Sequence, residues 1–106
     1  MSDLEQHQAV EQLDGSTRVM RDPLAVGAES AGGTMLMQID SGRFFLLDDI
    51  GCDVWQRLET PCSFGDLVEQ LAADYEADRV RIGIDVSSLI RRMAELRLVT
   101  LGVCVA

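Results

Sequence analysis

The side chains able to do chemistry in this chain are few, and their spacing does not suit catalysis. Cys52, Cys62 and Cys104 are an odd number with no Cys-x-x-Cys spacing, and the lone histidine, His7, sits in a polar N-terminal stretch. A tetrahedral zinc site needs four converging ligands, and a Ser/His or Cys/His pair needs a histidine within reach of its nucleophile. Neither set can be assembled here, so each cysteine reads as a small, reduced, apolar filler. Asp48 and Asp49 are adjacent carboxylates that could imitate a metal site, but they stand just before an apolar helical stripe, where capping accounts for them. Asp74, Glu76 and Asp78 read as a solvated acidic helix end. There is no Gly-rich phosphate loop, no Gly-x-Ser-x-Gly and no His-Glu-x-x-His. The expectation is a protein with no catalytic residue, no metal and no cofactor.

Charge narrows the partners. With 9 basic and 18 acidic residues the formal charge is −9. A nucleic-acid binder must neutralise phosphates, which such a chain does poorly. Its basic cluster, Arg79, Arg81, Arg91, Arg92 and Arg97, is interleaved with Asp78, Asp85 and Glu95 and reads as a solvated helix face. No apolar run approaches the roughly 20 residues a membrane-spanning helix needs. The N-terminus lacks the basic-then-apolar order of a secretory signal, so the cytoplasm is the expected location.

The elements that must position any site follow from periodicity. Residues 1–16 show no clean period and are expected to form a polar, flexible tail ahead of one domain, 17–106. Thr17 to Arg21 alternates and is followed by Pro23, which suggests a short edge strand. Residues 28–33, rich in small side chains, read as a loop. Residues 34–40, the pair Ser41-Gly42 and residues 43–47 (Arg-Phe-Phe-Leu-Leu) predict a β-hairpin. Met35, Met37 and Ile39 would share one face of its first strand, with Leu36 and Gln38 on the other.

Three helices should follow. Ile50, Val54, Trp55 and Leu58 form one stripe, with Trp55 expected to anchor the core. Ser63 with Asp66 makes a capping-box arrangement, and Leu67, Val68, Leu71, Ala72 and Tyr75 form the buried face of the second helix. Ile82, Val86, Leu89, Ile90, Met93 and Leu96 lie on one face of the third. Ile84 falls off that stripe, so it is either exposed or a sign that the helix begins after Gly83. Val99, Leu101 and Val103 suggest a short terminal strand. Strands first and helices second mean an α+β fold, and a three-stranded antiparallel sheet followed by three helices is the layout of a winged helix-turn-helix.

One segment stands out. In Arg43–Leu47 both faces are apolar, and Arg43 alone guards the strand. An unprotected edge beside an apolar helix face is what β-augmentation requires, although helices covering the strand would equally explain its composition.

On these residues the chain resembles the PqqD-like family of precursor-peptide recognition proteins, which includes the leader-binding proteins of lasso-peptide pathways. The likeness runs from about residue 17 to 100. It is carried by the hairpin with its Ser-Gly turn, Phe44-Phe45, Leu47 before an acidic cap, Gly51, Val54-Trp55, Leu58, Ser63, Leu67, Leu71 and Tyr75. Asp85-Val86 and the closing Leu96-Arg97-Leu98-Val99 complete it. The chain departs in having Phe44 and Phe45 where tyrosines are common, Cys52 where a small residue is common, and a longer run from Val80 to Asp85.

The resemblance implies a winged-helix domain that binds the leader of a ribosomally made precursor as a further antiparallel strand and delivers it to a modifying enzyme or leader peptidase. The edge would be Arg43, Phe44, Phe45, Leu46 and Leu47. The helix wall would come from Ile82, Asp85, Val86, Leu89, Ile90 and Met93, part of which must also serve the core. Arg43 and Asp85 would be polar clamps, and Met37 and Met93 adaptable contacts. A lasso-peptide pathway is the expected setting. The alternatives are a PQQ-type peptide chaperone for a radical SAM enzyme and a winged-helix DNA-binding regulator. Nucleic acid and membrane are not expected partners, and the protein is expected to be a monomer or weak homodimer.

Overall fold

Two small antiparallel sheets, joined by three helices, make up the architecture in a computed structural model that describes residues 13–30 and 33–103. In chain order the elements are β1 (Thr17–Arg21), β2 (Ala25–Ser30), β3 (Gly33–Gln38), β4 (Phe44–Leu47), α1 (Asp49–Arg57), β5 (Cys62–Ser63), α2 (Phe64–Tyr75), α3 (Arg79–Glu95) and β6 (Val99–Val103). One sheet has the order β5-β1-β6 and the other β2-β3-β4. The fold is α+β and winged helix-turn-helix-like, with β2-β3-β4 as the wing.

The helices form where caps and stripes place them. Asp48 caps α1 by accepting from the Gly51 N–H at 2.8 Å, and Ser63 caps α2 by accepting from Asp66 N–H at 3.2 Å. Asp78 caps α3 through Val80 N–H, so that helix begins at Arg79 and Ile84 is simply exposed, at 61%. Val54, Trp55, Leu58, Leu67, Leu71, Val86, Ile90 and Met93 close one core with Val19 and Leu36. The end of α3 turns through Arg97, held at φ 59°, while Leu98 N–H donates to Met93 O and Arg97 N–H to Ala94 O. That pattern is a Schellman turn, with arginine where glycine is usual.

Three expectations are corrected. Thr17–Arg21 is no edge strand: it is the centre of its sheet, flanked by Cys62–Ser63 and by all of β6, with Val19 fully buried. The loop expected at residues 28–33 is largely strand, since β2 pairs with β3 from Ala25↔Gln38 to Ser30↔Gly33. Gly27, within β2, is small for a packing reason, because a Cβ on it would lie 3.2 Å from both Trp55 Nε1 and Leu36 Cδ2. Tyr75 is not on the buried face of α2 but 44% exposed, its hydroxyl donating to Asp53 at 3.0 Å. The tail expected at 1–16 lies, for residues 1–12, outside the described residues, as do His7 and Cys104. Residues Asp14 to Ser16 form a turn whose Gly15 carbonyl accepts from Gly65 N–H at the start of α2.

One buried polar side chain ties the wing to the helices. Gln38 is 1% exposed; its Nε2 donates to the Arg97 carbonyl at 2.5 Å and its Oε1 accepts from Asp40 N–H at 2.9 Å. Between the first two helices, Arg57 of α1 bridges Asp53, at 2.6 Å, and Asp74 of α2. The Arg57 guanidinium holds the Asp53 carboxyl below the ordinary carboxylate range.

Replacing Gln38 by Ala strands the Arg97 carbonyl and the Asp40 amide, and urea unfolding should show a loss of about 1–3 kcal/mol. Because the folded pKa of Asp53 is depressed, its contribution is complete above the unfolded value of about 3.9 and fades as pH falls below it. Acid-unfolding curves of Asp53→Asn should therefore lose part of the wild-type slope below about pH 4.

Candidate peptide-binding site

β4 is the edge of the wing: it pairs with β3 and, among the described residues, with nothing on its other side. Which backbone groups face outward is set by the hairpin. Gln38 N–H donates to Arg43 O at 2.8 Å, and Gly42 N–H donates to Gln38 O at 2.8 Å, with Gly42 at φ 75° closing the loop in the left-handed region. Arg43 therefore turns its carbonyl toward β3. Successive residues of a strand point their N–H and C=O to alternate sides. Phe45 and Leu47 thus bond toward β3, where they sit opposite Leu36 and Thr34, and Phe44 and Leu46 aim both backbone groups at the open edge.

The same two residues carry exposed side chains. Phe44 is 62% and Leu46 66% exposed, while Leu47 is buried and Phe45 half-buried against the core. A strand apolar on both faces calls for cover on both, and only the inner face of β4 has it. Phe44 pairs with Met37, which pairs with Val26; Leu46 pairs with Met35, which pairs with Ala28. Directly opposed residues share a face, so the outer face of the wing is a largely apolar sheet surface open to solvent. Val26, Met37 and Ile39 are all exposed on the wing.

The helix side offers less surface than its apolar stripe implies. Asp85 is exposed and Leu89 half-buried, whereas Ile82, Val86, Ile90 and Met93 are buried in the core. Of the adaptable methionines, Met37 is exposed and Met93 is not. Gln38 is the positioning residue that sequence reasoning missed, since its hydrogen bond to Arg97 fixes the turn end of the hairpin against the turn that ends α3. The signal was available: Gln38 shares strand parity with Leu36 and is a lone polar residue on a core face.

Charge at the edge is simple. Arg43 is exposed before β4, and Asp48 and Asp49 are exposed after it. The displaced pKa values belong elsewhere, to Asp53 and Tyr75 in the α1–α2 network, to Asp14 in its turn, and to the half-buried Cys62 thiol, pushed up by burial. Among the described residues no group of His, Cys, Asp and Glu side chains could hold a metal ion. A polar hollow of about 280 Å³ between β2, β3 and α1 is lined by Arg21, Glu29, Thr34, Trp55 and Gln56. Its arginine is already engaged, 4.2 Å above the Trp55 ring and bonded to the Trp55 carbonyl.

The family model described as coenzyme PQQ synthesis protein D (PqqD) matches residues 33–99, which begin at the first strand of the hairpin and end at the first residue of β6. The chain belongs to the PqqD family. Solved structures share its fold. A lasso peptide synthetase B1 complexed with the leader peptide is 24% identical, with a TM-score of 0.67 over 77% of this chain and 96% of that one. TbiB1 in complex with the TbiA(beta) leader peptide is 25% identical, with a TM-score of 0.68 over 76% and 93%. The PqqD truncation of Methylobacterium extorquens PqqCD, described as a recognition element for ribosomally synthesised and modified peptides, is 18% identical, with a TM-score of 0.71 over 86% and 97%. No curated protein matches the chain.

Because Phe44 and Leu46 support no core packing in this PqqD-family chain, Phe44→Asp and Leu46→Asp should each change unfolding free energy by no more than about 0.5–1 kcal/mol. Leu36→Ala, on the inner face, should cost about 2–5 kcal/mol in the same urea titration.

Proposed function

We propose that this protein recognises the leader of a ribosomally made precursor peptide by accepting it as an added antiparallel strand along β4, and delivers it to a leader peptidase or other modifying enzyme in a lasso-peptide pathway. The observation that carries this reading is the outward aim of both backbone groups and both side chains at Phe44 and Leu46. An added strand would give those backbone groups partners, and its side chains would supply selectivity. Arg43 to Leu47 form the edge, and Asp85 and Leu89 are the wall residues with surface to offer. Ile82, Val86, Ile90 and Met93 would act from behind, shaping the wall. The TbiB1 structure, at 25% identity, contains a leader peptide, and this supports a leader as the ligand. The fold shared with the lasso peptide synthetase B1 and the tryptophan in α1 favour the lasso setting. Holding precursor beside an enzyme raises its effective concentration there without any new catalytic group.

The matched family description favours one second reading, the same edge serving a PQQ-type precursor for a radical SAM enzyme. A DNA-reading role has no such support. Within the arginine cluster Arg79 lies 3.1 Å from Glu69, Arg92 3.7 Å from Glu95 and Arg97 3.1 Å from Asp40, so those charges are matched locally.

Fluorescence polarisation with labelled leaders from short reading frames beside the gene tests the proposal. One of them should bind with submicromolar Kd, about 8 kcal/mol or more. Leu46→Pro, which removes an outward donor and no β3 bond, should weaken it at least about tenfold. Absence of binding by every neighbouring peptide, or undiminished binding by Leu46→Pro, would sink the strand-addition reading.

A further inference from the structure

Given strand addition at β4, on which this inference rests, the polarity of that edge also constrains the added peptide. Four features set the pattern. Phe44 and Leu46 are the outward-bonding residues, with exposed apolar side chains on the outer face of the wing. Phe45, between them, turns its half-buried side chain to the core side. Arg43 stands exposed at the N-terminal end, and the other charge there, Asp40, is taken by Arg97 at 3.1 Å. Asp48 and Asp49 stand exposed at the C-terminal end. The start of α1 returns only about half a positive charge against those two carboxylates, so that end remains negative.

We propose that the peptide taken by β4 carries a fixed charge order: a basic residue, then two apolar residues separated by one, then an acidic residue. An antiparallel strand runs from the Leu47 end of β4 toward Arg43. Its residue opposite Asp48 comes first and meets the carboxylates, so a lysine or arginine fits there. Two positions later a residue pairs with Leu46, and two after that another pairs with Phe44. Directly opposed residues share a face, so these two lie on the outer surface and continue the rows Met35–Leu46 and Met37–Phe44. The residue between them lies opposite Phe45 and points inward, where an apolar side chain is also favoured. The next residue after the Phe44 partner faces Arg43, and an aspartate or glutamate fits it. The basic end also suits approach to a protein whose net charge is −9. The specificity-determining residues are thus Arg43 and the Asp48-Asp49 pair, with Phe44 and Leu46 setting the register.

Two labelled peptides of identical composition test this. One reads Gly-Ser-Lys-Thr-Val-Leu-Val-Asp-Ser-Gly and its twin exchanges the lysine and the aspartate. Cross-strand charge pairs of this kind each shift affinity about 1.5–5-fold, and exchanging both ends turns two attractions into two repulsions. The intact protein should therefore bind the first peptide about tenfold tighter at low salt, with the gap closing as salt screens it. Arg43→Glu, an exposed change outside β4, should shrink the preference to about threefold or less while leaving thermal unfolding in place. Equal affinity for the twins, or preference for the exchanged one, overturns the charge order and leaves strand addition standing. Binding of neither twin, or binding undiminished by Leu46→Pro, overturns this inference; the neighbouring-leader titration then decides whether strand addition falls with it.

Discussion

Burying an amide side chain is tolerable only when its donors and acceptors find partners, and in this protein one such side chain decides how the two halves meet. Gln38 sits at the end of β3 with its nitrogen on the Arg97 carbonyl and its oxygen on the Asp40 amide. The first bond reaches the turn that ends α3, and the second shapes the hairpin that begins β4. Either partner, partly buried and left without its bond, would cost free energy comparable to a lost hydrogen bond. The wing is thereby held in one orientation against the helices, and β4 is presented as an edge.

The division of labour within β4 comes from strand geometry. Alternate residues bond to opposite sides, and alternate side chains face opposite surfaces. Phe45 and Leu47 commit both attributes to the protein itself, bonding to β3 and packing inward. Phe44 and Leu46 commit neither. Edges are commonly protected by charge, proline or a bulge, and this one has Arg43 before it and two acidic residues after it, with bare apolar side chains between. The shortness of the edge and the strong net charge of the molecule both oppose indiscriminate association.

Much of the helical half was legible in the chain. Asp48 and Ser63 announce two helix starts, whereas Asp78, read as a solvated acidic end, caps the third; the stripes of α1 and α3 bury most of the predicted residues because a 3.6-residue period leaves one apolar face available. The hairpin was legible too, from Gly42 and the flanking apolar runs. The β2 strand was not: residues 28–33 read as loop because small residues have weak strand preference, yet β2 runs on to Ser30, and Gly27 within it is small to clear Trp55 and Leu36. β1 looked like an edge because Pro23 follows it, and the partners that make it central, Cys62–Ser63 and Val99–Val103, lie far along the chain. Tyr75 fell on the apolar stripe by position alone, and its hydroxyl was drawn outward to Asp53. Within the wall drawn on α3, periodicity could identify the apolar face but could not apportion it between core and surface.

The sequence by itself determined the class of fold, the first two helix caps, the hairpin and the unusual strand that is apolar on both sides. These are properties of neighbours within a few residues, where spacing and side-chain chemistry suffice. Only the tertiary structure decided which face of β4 stays open, which of the α3 residues remain at the surface and that Gln38 joins wing to helix. Each of those depends on a partner tens of residues away, and burial and hydrogen-bond satisfaction are settled only when such partners meet.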